Sequence, residues 1–591
     1  MASHTKENDD DGKEKDDPVF SYSQFACIGT GFSGIALGAT LQRWYGITDI
    51  RFFDKQSQLG GTWHVNQYPG CACDVPSALY SLSFECNPDW TRVLPTYAEL
   101  WAYLNRVARK YDLVDKMTFD VAVEKCVWIE EKARWRMWIR QKHTTGQVIV
   151  HECQFLYSGV GYFDQQRDLG IPGAESFRGP MFHSAKWRHD VDLTGKKVVV
   201  FGNGCTGAQI VPAIVDKTAS LTHVVRSKHW VYPPLDEKVP FWLMFTLANI
   251  PGTMQIQRFL TFIKAEVEYI GFGDGKIAKA WRKMRRRQVE AYMRATAPEK
   301  YHDLLIPDFE IGCKRRIFDS GYLKSLHNEH LRLTNEPVEE ILPQGLRMKS
   351  GEIVEADVLV LANGFKTNQF FLECEIVGRG GETINEHWDS FGGAEAYNCE
   401  SLCGFPNFFV LGGPNTATGH TSFLIAVENA INYSMRVIEP VLKGKASVVE
   451  VKREAEEKYV QWVHSALQDT VFSTGCSSWY NRAVDGKKPW NATVYPLSQA
   501  HYWYSCVFPS WKDWRYSGQT GKNKIVKQSH TVRRLLTLTA FTLGLVFWSK
   551  RNPNSVLASL LVKPWTILPW LVGAAIQSGT EAFAMIKGVW R

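Results

Sequence analysis

The chain has 591 residues, of which 45% are hydrophobic and 22% are charged, and its formal net charge is +7 at pH 7. A chain of this length can build more than one packed core. The charge is modest and the chain has no lysine-rich arm, so nucleic acid is not expected as a partner. Residues 1–18 are charged and small, which predicts a disordered lead-in. The 13 scattered cysteines indicate free thiols in a cytoplasmic protein. Cys71 and Cys73 lack the spacing of a redox or zinc motif, and no metal site is expected.

A first glycine fingerprint follows the lead-in. Residues 25–28 form an apolar stretch that predicts a buried strand, and Gly29-x-Gly31-x-x-Gly34 comes directly after it, before a predicted helix. Strand, glycine turn and helix N-terminus together make a pyrophosphate site. Asp54 ends the next predicted strand, 25 residues after Gly29, where a carboxylate binds a ribose. The pattern therefore predicts a nucleotide with an unphosphorylated ribose, such as FAD.

A second fingerprint repeats this design in mid-chain. Residues 197–201 predict the strand, Gly202-x-Gly204-x-x-Gly207 the turn, and a helix follows. After the next predicted strand the chain has Arg226, 24 residues after Gly202, instead of an acid. Because an arginine pairs with a 2′-phosphate that a carboxylate would repel, the second site is predicted to bind NADP.

Residues 236–311 have helical character and predict a helical insertion that shapes a wall of the substrate pocket. The insertion contains a basic run at 282–287. A phosphate or membrane contact is one interpretation of this run, and a solvated helix face is the one that its composition favours.

The last segment, 521–591, has ten basic residues and a single acid, Glu581. Its apolar stretch at 535–548 has 14 residues, fewer than the roughly 20 that span a bilayer. Three interpretations of this segment stay open: a helix in the membrane interface, a membrane hairpin, and a helix packed on the body of the protein. Basic flanks and tryptophans favour attachment to an anionic, cytosol-facing membrane surface.

Two further motifs carry a resemblance to a known family. The first motif comprises Gly60, Gly61, Thr62, Trp63, Tyr68, Pro69, Gly70 and Asp74. The second comprises Phe177, Gly179, His183 and Trp187. In these motifs the chain resembles class B flavoprotein monooxygenases, specifically the FAD- and NADPH-dependent Baeyer–Villiger monooxygenases.

The resemblance covers roughly residues 20–510 and implies an α/β fold with two Rossmann-like dinucleotide-binding domains. The FAD-binding domain is expected at 19–170 and 395–520, and the NADP-binding domain at 171–235 and 312–394. The insertion at 236–311 belongs to the second domain, and the basic apolar tail at 521–591 lies outside both.

The resemblance also implies roles for individual residues. Asp74 and Arg315 are the expected catalytic pair, in which Asp74 orients the Arg315 guanidinium. The residues expected to bind FAD are Gly29, Gly31, Gly34, Asp54, Thr62, Trp63, Asp74 and Tyr80. Those expected to bind NADP are Gly202, Gly204, Gly207, Arg226, Lys314 and Trp479. His183 and Trp187 are expected to couple nucleotide binding to domain movement.

The implied reaction uses NADPH and O2 to form a C4a-peroxyflavin that inserts one oxygen beside the carbonyl of a hydrophobic ketone. The product is an ester or lactone, of the kind found in secondary metabolism. One rival is a flavin monooxygenase that oxygenates nitrogen or sulfur, and another is a non-catalytic redox sensor that binds nucleotides. The identity of the substrate and the oligomeric state are left open.

Overall fold

The computed structural model of the protein describes residues 19–142, 147–163, 165–235, 237–476, 478–481 and 489–518. The lead-in predicted at 1–18 and the tail predicted at 521–591 lie outside these residues. Within the described ranges, every helix is too short or too polar to cross a membrane.

The strands in chain order are β1 Val19–Ile28, β2 Ile50–Phe53, β3 Met117–Thr118, β4 Val121–Ile129, β5 Arg134–Gln141, β6 Val148–Ser158, β7 Met181–His183, β8 Lys197–Phe201, β9 Ser220–Val224, β10 Val231–Tyr232, β11 Ile317–Phe318, β12 Leu331–Thr334, β13 Val338–Leu342, β14 Gly345–Met348, β15 Ile353–Glu355, β16 Val358–Leu361, β17 Glu375–Val377, β18 Phe408–Val410, β19 Val448–Val451 and β20 Trp514–Ser517. The helices are α1 Phe32–Thr40, α2 Thr62–Val65, α3 Tyr97–Lys110, α4 Cys205–Ile214, α5 Phe241–Asn249, α6 Thr253–Glu268, α7 Lys276–Thr296, α8 His302–Leu305, α9 Tyr322–Ser325, α10 Ile384–Phe391, α11 Phe423–Val437, α12 Glu439–Leu442, α13 Arg453–Gln468 and α14 Gln499–Val507.

The first large sheet has the order β17-β4-β5-β6-β1-β2-β3, and β18 also pairs with β6. β1 is parallel to β2 and β6, which places Phe25 beside Ile50 and Phe155. The apolar end of β1, predicted as a buried strand, is at most 9% exposed. β4, β5 and β6 form an antiparallel meander. The first glycine turn therefore leaves the sheet from a strand that is paired on both sides.

The second sheet has five parallel strands in the order β12-β9-β8-β16-β7. β8 matches the strand predicted at 197–201, and its continuous valine run is typical of a parallel strand that is covered on both faces. β7 is an edge strand and contains His183 opposite Leu361. In each sheet a glycine turn leads from an inner strand, β1 or β8, into a helix, and this architecture confirms the predicted α/β class.

The segment predicted as a helical insertion contains α5, α6, α7 and α8. β10 before it and β11 after it are parallel partners, so the chain returns beside the point where it left. The basic run on α7 is only partly solvated, contrary to the favoured interpretation. Arg282 is 3% exposed, pairs with Glu310 at 2.7 Å and donates to the Gly271 carbonyl.

One pair of cysteines corrects the expectation of free thiols. Cys313 and Cys476 form a disulfide with a Cα–Cα distance of 6.3 Å, and the other eleven cysteines are free. The partners are 163 residues apart, so their spacing in the sequence does not reveal the pairing. The disulfide ties the segment before Arg315 to the segment before Trp479.

Candidate active site

The first glycine turn connects β1 to α1. The Gly29 amide donates to the Phe53 carbonyl at 2.8 Å, and Gly29 has φ +101°. A Cβ at Gly29 would lie 2.9 Å from the Gly159 carbonyl oxygen, and one at Gly34 would collide with the Gly29 carbonyl. The turn thus needs glycine for its close packing, and it leaves the α1 N-terminus open to an anion.

The second glycine turn has the same construction between β8 and α4. The Gly202 amide donates to the Val224 carbonyl at 2.9 Å, and Gly202 has φ +98°. A Cβ at Gly207 would collide with the Gly202 carbonyl, while one at Gly204 would meet nothing within 4 Å. Gly204 therefore leaves space for a ligand at the N-terminus of α4.

Asp54 follows β2 and lies beside the first turn, as predicted. Its Oδ2 accepts hydrogen bonds from the Thr30 amide and the Thr30 hydroxyl, both at 2.7 Å, and its Oδ1 accepts one from the Gln56 amide at 2.9 Å. The carboxylate is 7% exposed and lines the same cavity as Gly29 and Gly31. Asp54 is thus fixed beside the first glycine turn, and its role in binding a ribose stays a prediction.

Three basic residues lie at the end of the second sheet. Arg226 comes after β9, Lys314 after the insertion and Arg167 between β6 and β7, and all three line the cavity. Burial and the charge of Arg226 lower the pKa of Lys314 and of Arg167. Because like charges oppose each other in this way, the cluster favours an anionic ligand such as a 2′-phosphate.

Arg167 is a cluster member that the sequence did not identify, because it has no motif and stands 59 residues before Arg226. Its amide donates to the Gly364 carbonyl at 3.0 Å, and its carbonyl accepts from the Asn363 side chain at 3.1 Å. These bonds hold Arg167 against the turn after β16. A basic residue in the connection between two nucleotide domains is the only sequence signal for it.

Asp74 and Arg315 form a bidentate ion pair, in which two hydrogen bonds join the guanidinium to the carboxylate. Arg315 Nε donates to Asp74 Oδ2 at 2.8 Å and Nη2 donates to Oδ1 at 2.7 Å. Burial opposes both charges, but each charge stabilises the other, so the pKa of Arg315 is well above its ordinary value and the pKa of Asp74 is lowered. The pair therefore stays ionised. Cys205, the first residue of α4, lies 4.0 Å from Asp74 Oδ2.

Aromatic rings form the wall on the side of the first domain. Tyr80 packs edge-on against Trp63 and Phe32, with ring centroids 5.6 and 5.3 Å apart. Thr62, Trp63 and Tyr80 all line the cavity, as expected for residues that bind FAD. The Gly60 amide donates to the Thr30 carbonyl at 3.1 Å. The motif that contains Thr62 and Trp63 is thereby tied to the first glycine turn.

Trp479 closes the other side of the cavity. Its ring lies 5.9 Å from that of Phe163, and its carbonyl accepts a hydrogen bond from Thr367 at 3.3 Å. Tyr480 also lines the cavity and is 3% exposed. The residues at 482–488, which follow Trp479 and Tyr480 in the chain, lie outside the described residues.

His183 and Trp187 do not line this cavity. His183 Nδ1 accepts from the Ala185 amide at 3.1 Å, so its Nε2 donates to the Gly364 carbonyl at 3.2 Å. Burial lowers the pKa of His183 to about 4, which keeps the ring neutral. Trp187 packs on Phe182. His183 thus contacts the same turn as Arg167, and its coupling role stays a prediction.

One cavity of about 890 Å³ unites these parts. Both glycine turns, the three basic residues and the aromatic wall line it, and the pair of Asp74 and Arg315 lines it too. Two sites for dinucleotides therefore open into one space, with a fixed guanidinium among the lining groups.

Residues 23–260 match the family model described as flavin-binding monooxygenase-like. A Baeyer–Villiger monooxygenase of Pseudomonas aeruginosa is 32% identical over 478 residues, which covers 80% of this chain and 88% of that protein. A Baeyer–Villiger monooxygenase of Streptomyces coelicolor is 32% identical over 487 residues, which covers 82% of this chain and 91% of that protein. A structure of steroid monooxygenase bound to NADP matches with a TM-score of 0.72 at 25% identity, over 84% of this chain and 99% of that one.

The fold, the shared cavity and the match to the flavin-binding model define a flavin oxidoreductase that works with two dinucleotides. Its similarity to the two bacterial enzymes extends over most of both chains. The chain belongs to the Baeyer–Villiger monooxygenase family. This membership confirms the predicted family and the enzyme class. The predicted cofactors FAD and NADPH are confirmed as well, since a relative 30% identical over 494 residues is an FAD-binding monooxygenase of Aspergillus terreus and the steroid monooxygenase structure holds NADP.

Proposed function

We propose that Asp74 and Arg315 form the catalytic pair with which this monooxygenase, using NADPH and O2, inserts one oxygen atom beside the carbonyl of a hydrophobic ketone. The product is an ester or lactone. The observation that carries the proposal is the two-bond ion pair, which faces the cavity that both glycine turns share. Steroid and cyclohexanone monooxygenases have similar folds, which supports cyclic ketones as the substrate class.

The lining residues fit both cofactors. The glycine-rich first turn and the fixed Asp54 suit the pyrophosphate and ribose of FAD. The second turn and the cations Arg226, Lys314 and Arg167 suit NADPH, since three positive groups line one cavity and burial together with the charge of Arg226 lowers the pKa values of Lys314 and Arg167. Thr62, Trp63 and Tyr80 would contact FAD, and Trp479 would cover the nicotinamide.

Bound FAD, once reduced by NADPH, supplies the activation of O2. The protein's own contribution is a fixed positive charge. Asp74 holds the Arg315 guanidinium in one orientation and keeps it protonated. A pre-oriented cation stabilises the negative charge that develops on oxygen during insertion, and it does so best where aromatic side chains exclude water. Heteroatom oxygenation gains less from such a charge, so ketone oxidation is favoured over the nitrogen- or sulfur-oxygenating rival.

The substitution Arg315→Ala tests the proposal. We expect NADPH to reduce the bound flavin at a near-normal rate, while formation of ester from cyclic, steroidal and aryl ketones falls by at least about 100-fold. Stopped-flow absorbance gives the first rate and product mass gives the second. Arg188→Ala, which breaks the exposed pair of Arg188 with Asp190, is the matched control.

Full oxygenation by Arg315→Ala would refute the assignment of Arg315. A wild-type enzyme that oxidises thioethers or amines but none of the ketones would favour the heteroatom rival. A wild-type protein without NADPH oxidase or oxygenase activity would favour the redox sensor.

We further propose that the tail at 521–591 attaches the enzyme to the cytosolic face of a membrane. The basic and apolar composition of the tail supports this proposal. Deletion of 521–591 followed by fractionation tests it. Equal solubility of the full-length and truncated proteins without detergent would contradict the attachment.

A further inference from the structure

The outer surface of the helical insertion is strongly apolar. Twelve large hydrophobic side chains between Phe241 and Met284 are exposed, more than in all other described parts of the chain together. Phe241 is 80% exposed, Trp242 67%, Leu260 61% and Phe259 60%. Exposed apolar residues are ordinary when they are scattered, but a contiguous group of this size marks an interaction surface.

In helix α6 the exposed hydrophobic side chains lie on one face of the helix. Ile256, Phe259, Leu260, Ile263 and Val267 recur at the spacing of one helix face, and all five are exposed. A helix of a soluble domain normally turns such a face toward the core. In α6 the apolar face points away from the protein.

The polar face of α6 points inward instead. Arg258 Nη1 donates to the carbonyls of Ala78 and Ser81, both at 2.9 Å. Glu266 pairs with His420 at 2.7 Å and accepts from the Gln499 amide at 3.2 Å. These bonds fix the orientation of the helix, because rotating it to bury the apolar face would leave partly buried charges unpaired.

We name the exposed side chains of α5 and α6 the outer apolar face; its members are Phe241, Trp242, Phe245, Ile256, Phe259, Leu260, Ile263 and Val267. The sequence from 238 to 265 contains no acidic residue. Along α7, Lys276, Lys279, Lys283 and Arg287 are exposed next to Ile277 and Met284. The outer apolar face therefore belongs to the same insertion as a basic stripe.

We propose that the outer apolar face and this basic stripe bind the surface of an anionic lipid bilayer. Phenylalanine, tryptophan and leucine side chains enter the boundary between headgroups and acyl chains, and lysine and arginine contact the anionic headgroups. The insertion would lie in the plane of the interface, because none of its described helices is both long enough and apolar enough to cross a bilayer.

A second copy of the chain and the tail at 521–591 are two other possible partners of the outer apolar face, and both fit it less well. In a two-fold dimer the insertion would meet its own copy, which brings the two basic stripes together. The tail at 521–591 has ten basic residues and one acid, so it too would bring like charge to the stripe. An anionic bilayer complements both the apolar and the basic parts of the surface.

The position of α6 also suits a substrate dissolved in lipid, and this point rests on the proposed function. The segment that Arg258 contacts contains Tyr80, and the residues on either side of His420 line the cavity. The lipid-facing helix is therefore one layer away from the cavity wall.

Co-sedimentation of the full-length holoenzyme with vesicles tests the surface. Vesicles of phosphatidylcholine alone are compared with vesicles that contain about one quarter phosphatidylserine. We expect binding to the anionic vesicles that weakens between about 0.1 M and about 0.5 M NaCl. The triple variant Phe259→Gln/Leu260→Gln/Ile263→Gln should bind about tenfold less, as should Lys276→Gln/Lys283→Gln/Arg287→Gln.

Phe20→Gln/Ile353→Gln is the matched control, because these residues are 69% and 52% exposed but lie outside the insertion. Bound FAD per chain shows that each variant is folded, and all variants keep the tail. Equal binding by the apolar triple variant and the wild type would overturn the proposal and assign attachment to another segment. The proposal would also be overturned, in favour of contact between copies, if the wild type bound no vesicles and light scattering showed an oligomeric wild type but a monomeric apolar triple variant.

Discussion

At the scale of single residues, Asp74 and Arg315 are separated by 241 positions, yet hydrogen bonds of 2.7 and 2.8 Å join them. Their catalytic roles were predicted from the sequence only as what the resemblance to the family implies. The sequence contained no information on the two-bond geometry or on the contact with Cys205 at the start of α4. These depend on two loops that are folded against the second nucleotide turn.

We expect Asp74→Asn to lower the oxygenation rate by about 10- to 100-fold, because an amide neither fixes both guanidinium nitrogens nor compensates their charge. Steady-state kcat with a ketone, measured beside the bound FAD content, checks this expectation. Asp190→Asn, in an exposed pair with Arg188, serves as the control. Unchanged kcat in Asp74→Asn would show that Asp74 does not orient Arg315.

The three-cation cluster predicts a selective effect on the cofactor. Arg167→Ala and Arg226→Ala should each raise KM for NADPH by about tenfold, which corresponds to about 1.4 kcal/mol, and should leave KM for NADH nearly unchanged. Initial rates with both cofactors measure the ratio. Equal effects on NADPH and NADH would mean that the arginine acts on the fold and not on the 2′-phosphate.

At the scale of elements, the two strand–turn–helix units confirm the expectations that were drawn from local sequence. The predicted strand at 197–201 and β8 have the same bounds. α1 begins at Phe32 and α4 at Cys205, so each predicted helix starts inside its glycine fingerprint and contains the last glycine of that fingerprint. Such units are predictable because their hydrogen bonds join residues that are close in sequence or in adjacent strands.

Gly29→Ala should give protein with little bound FAD. Its φ of +101° disfavours any side chain, and the new Cβ would press on the Gly159 carbonyl at 2.9 Å. Gly195→Ala is the matched control, since Gly195 also has positive φ, at +68°, but open space around it. The ratio of flavin to protein absorbance distinguishes the variants. A normal flavin content in Gly29→Ala would contradict the role of this turn.

At the scale of the whole molecule, a buried ionic cluster joins distant helices. His387 on α10 lies 3.1 Å from Glu456 on α13 and 3.3 Å from Glu395, and each of the three side chains is at most 1% exposed. Burial opposes the charge of His387, but the two acids outweigh it and raise its pKa to about 9. Burial and the charge of Glu456 raise the pKa of Glu395 to about 8. The folded protein therefore keeps these protons to higher pH than the unfolded chain does.

This cluster predicts that stability falls as pH rises. The contribution of His387 is complete below its unfolded pKa of about 6.5 and is lost as pH passes about 9, a change of about 3 kcal/mol. Glu395 acts in the same direction through about pH 8. Thermal unfolding at a fixed scan rate from pH 6 to about pH 10 should show the decline, and His387→Gln should flatten it. His327→Gln, at an exposed histidine, should keep the wild-type profile.

The sequence by itself determined the two nucleotide units, their cofactor preference and the family, because glycine turns, strand-end charges and motif spacings are local patterns. The tertiary structure decided which distant groups meet. Arg167 joins Arg226 only because its backbone pairs with the turn after β16, and the disulfide of Cys313 and Cys476 depends on two loops that meet. The outward apolar face of α6 was also decided by the fold. A periodic apolar pattern predicts an apolar helix face but does not say whether that face points to the core or to the outside. The hydrogen bonds of Arg258 to the body of the protein decide the orientation of α6.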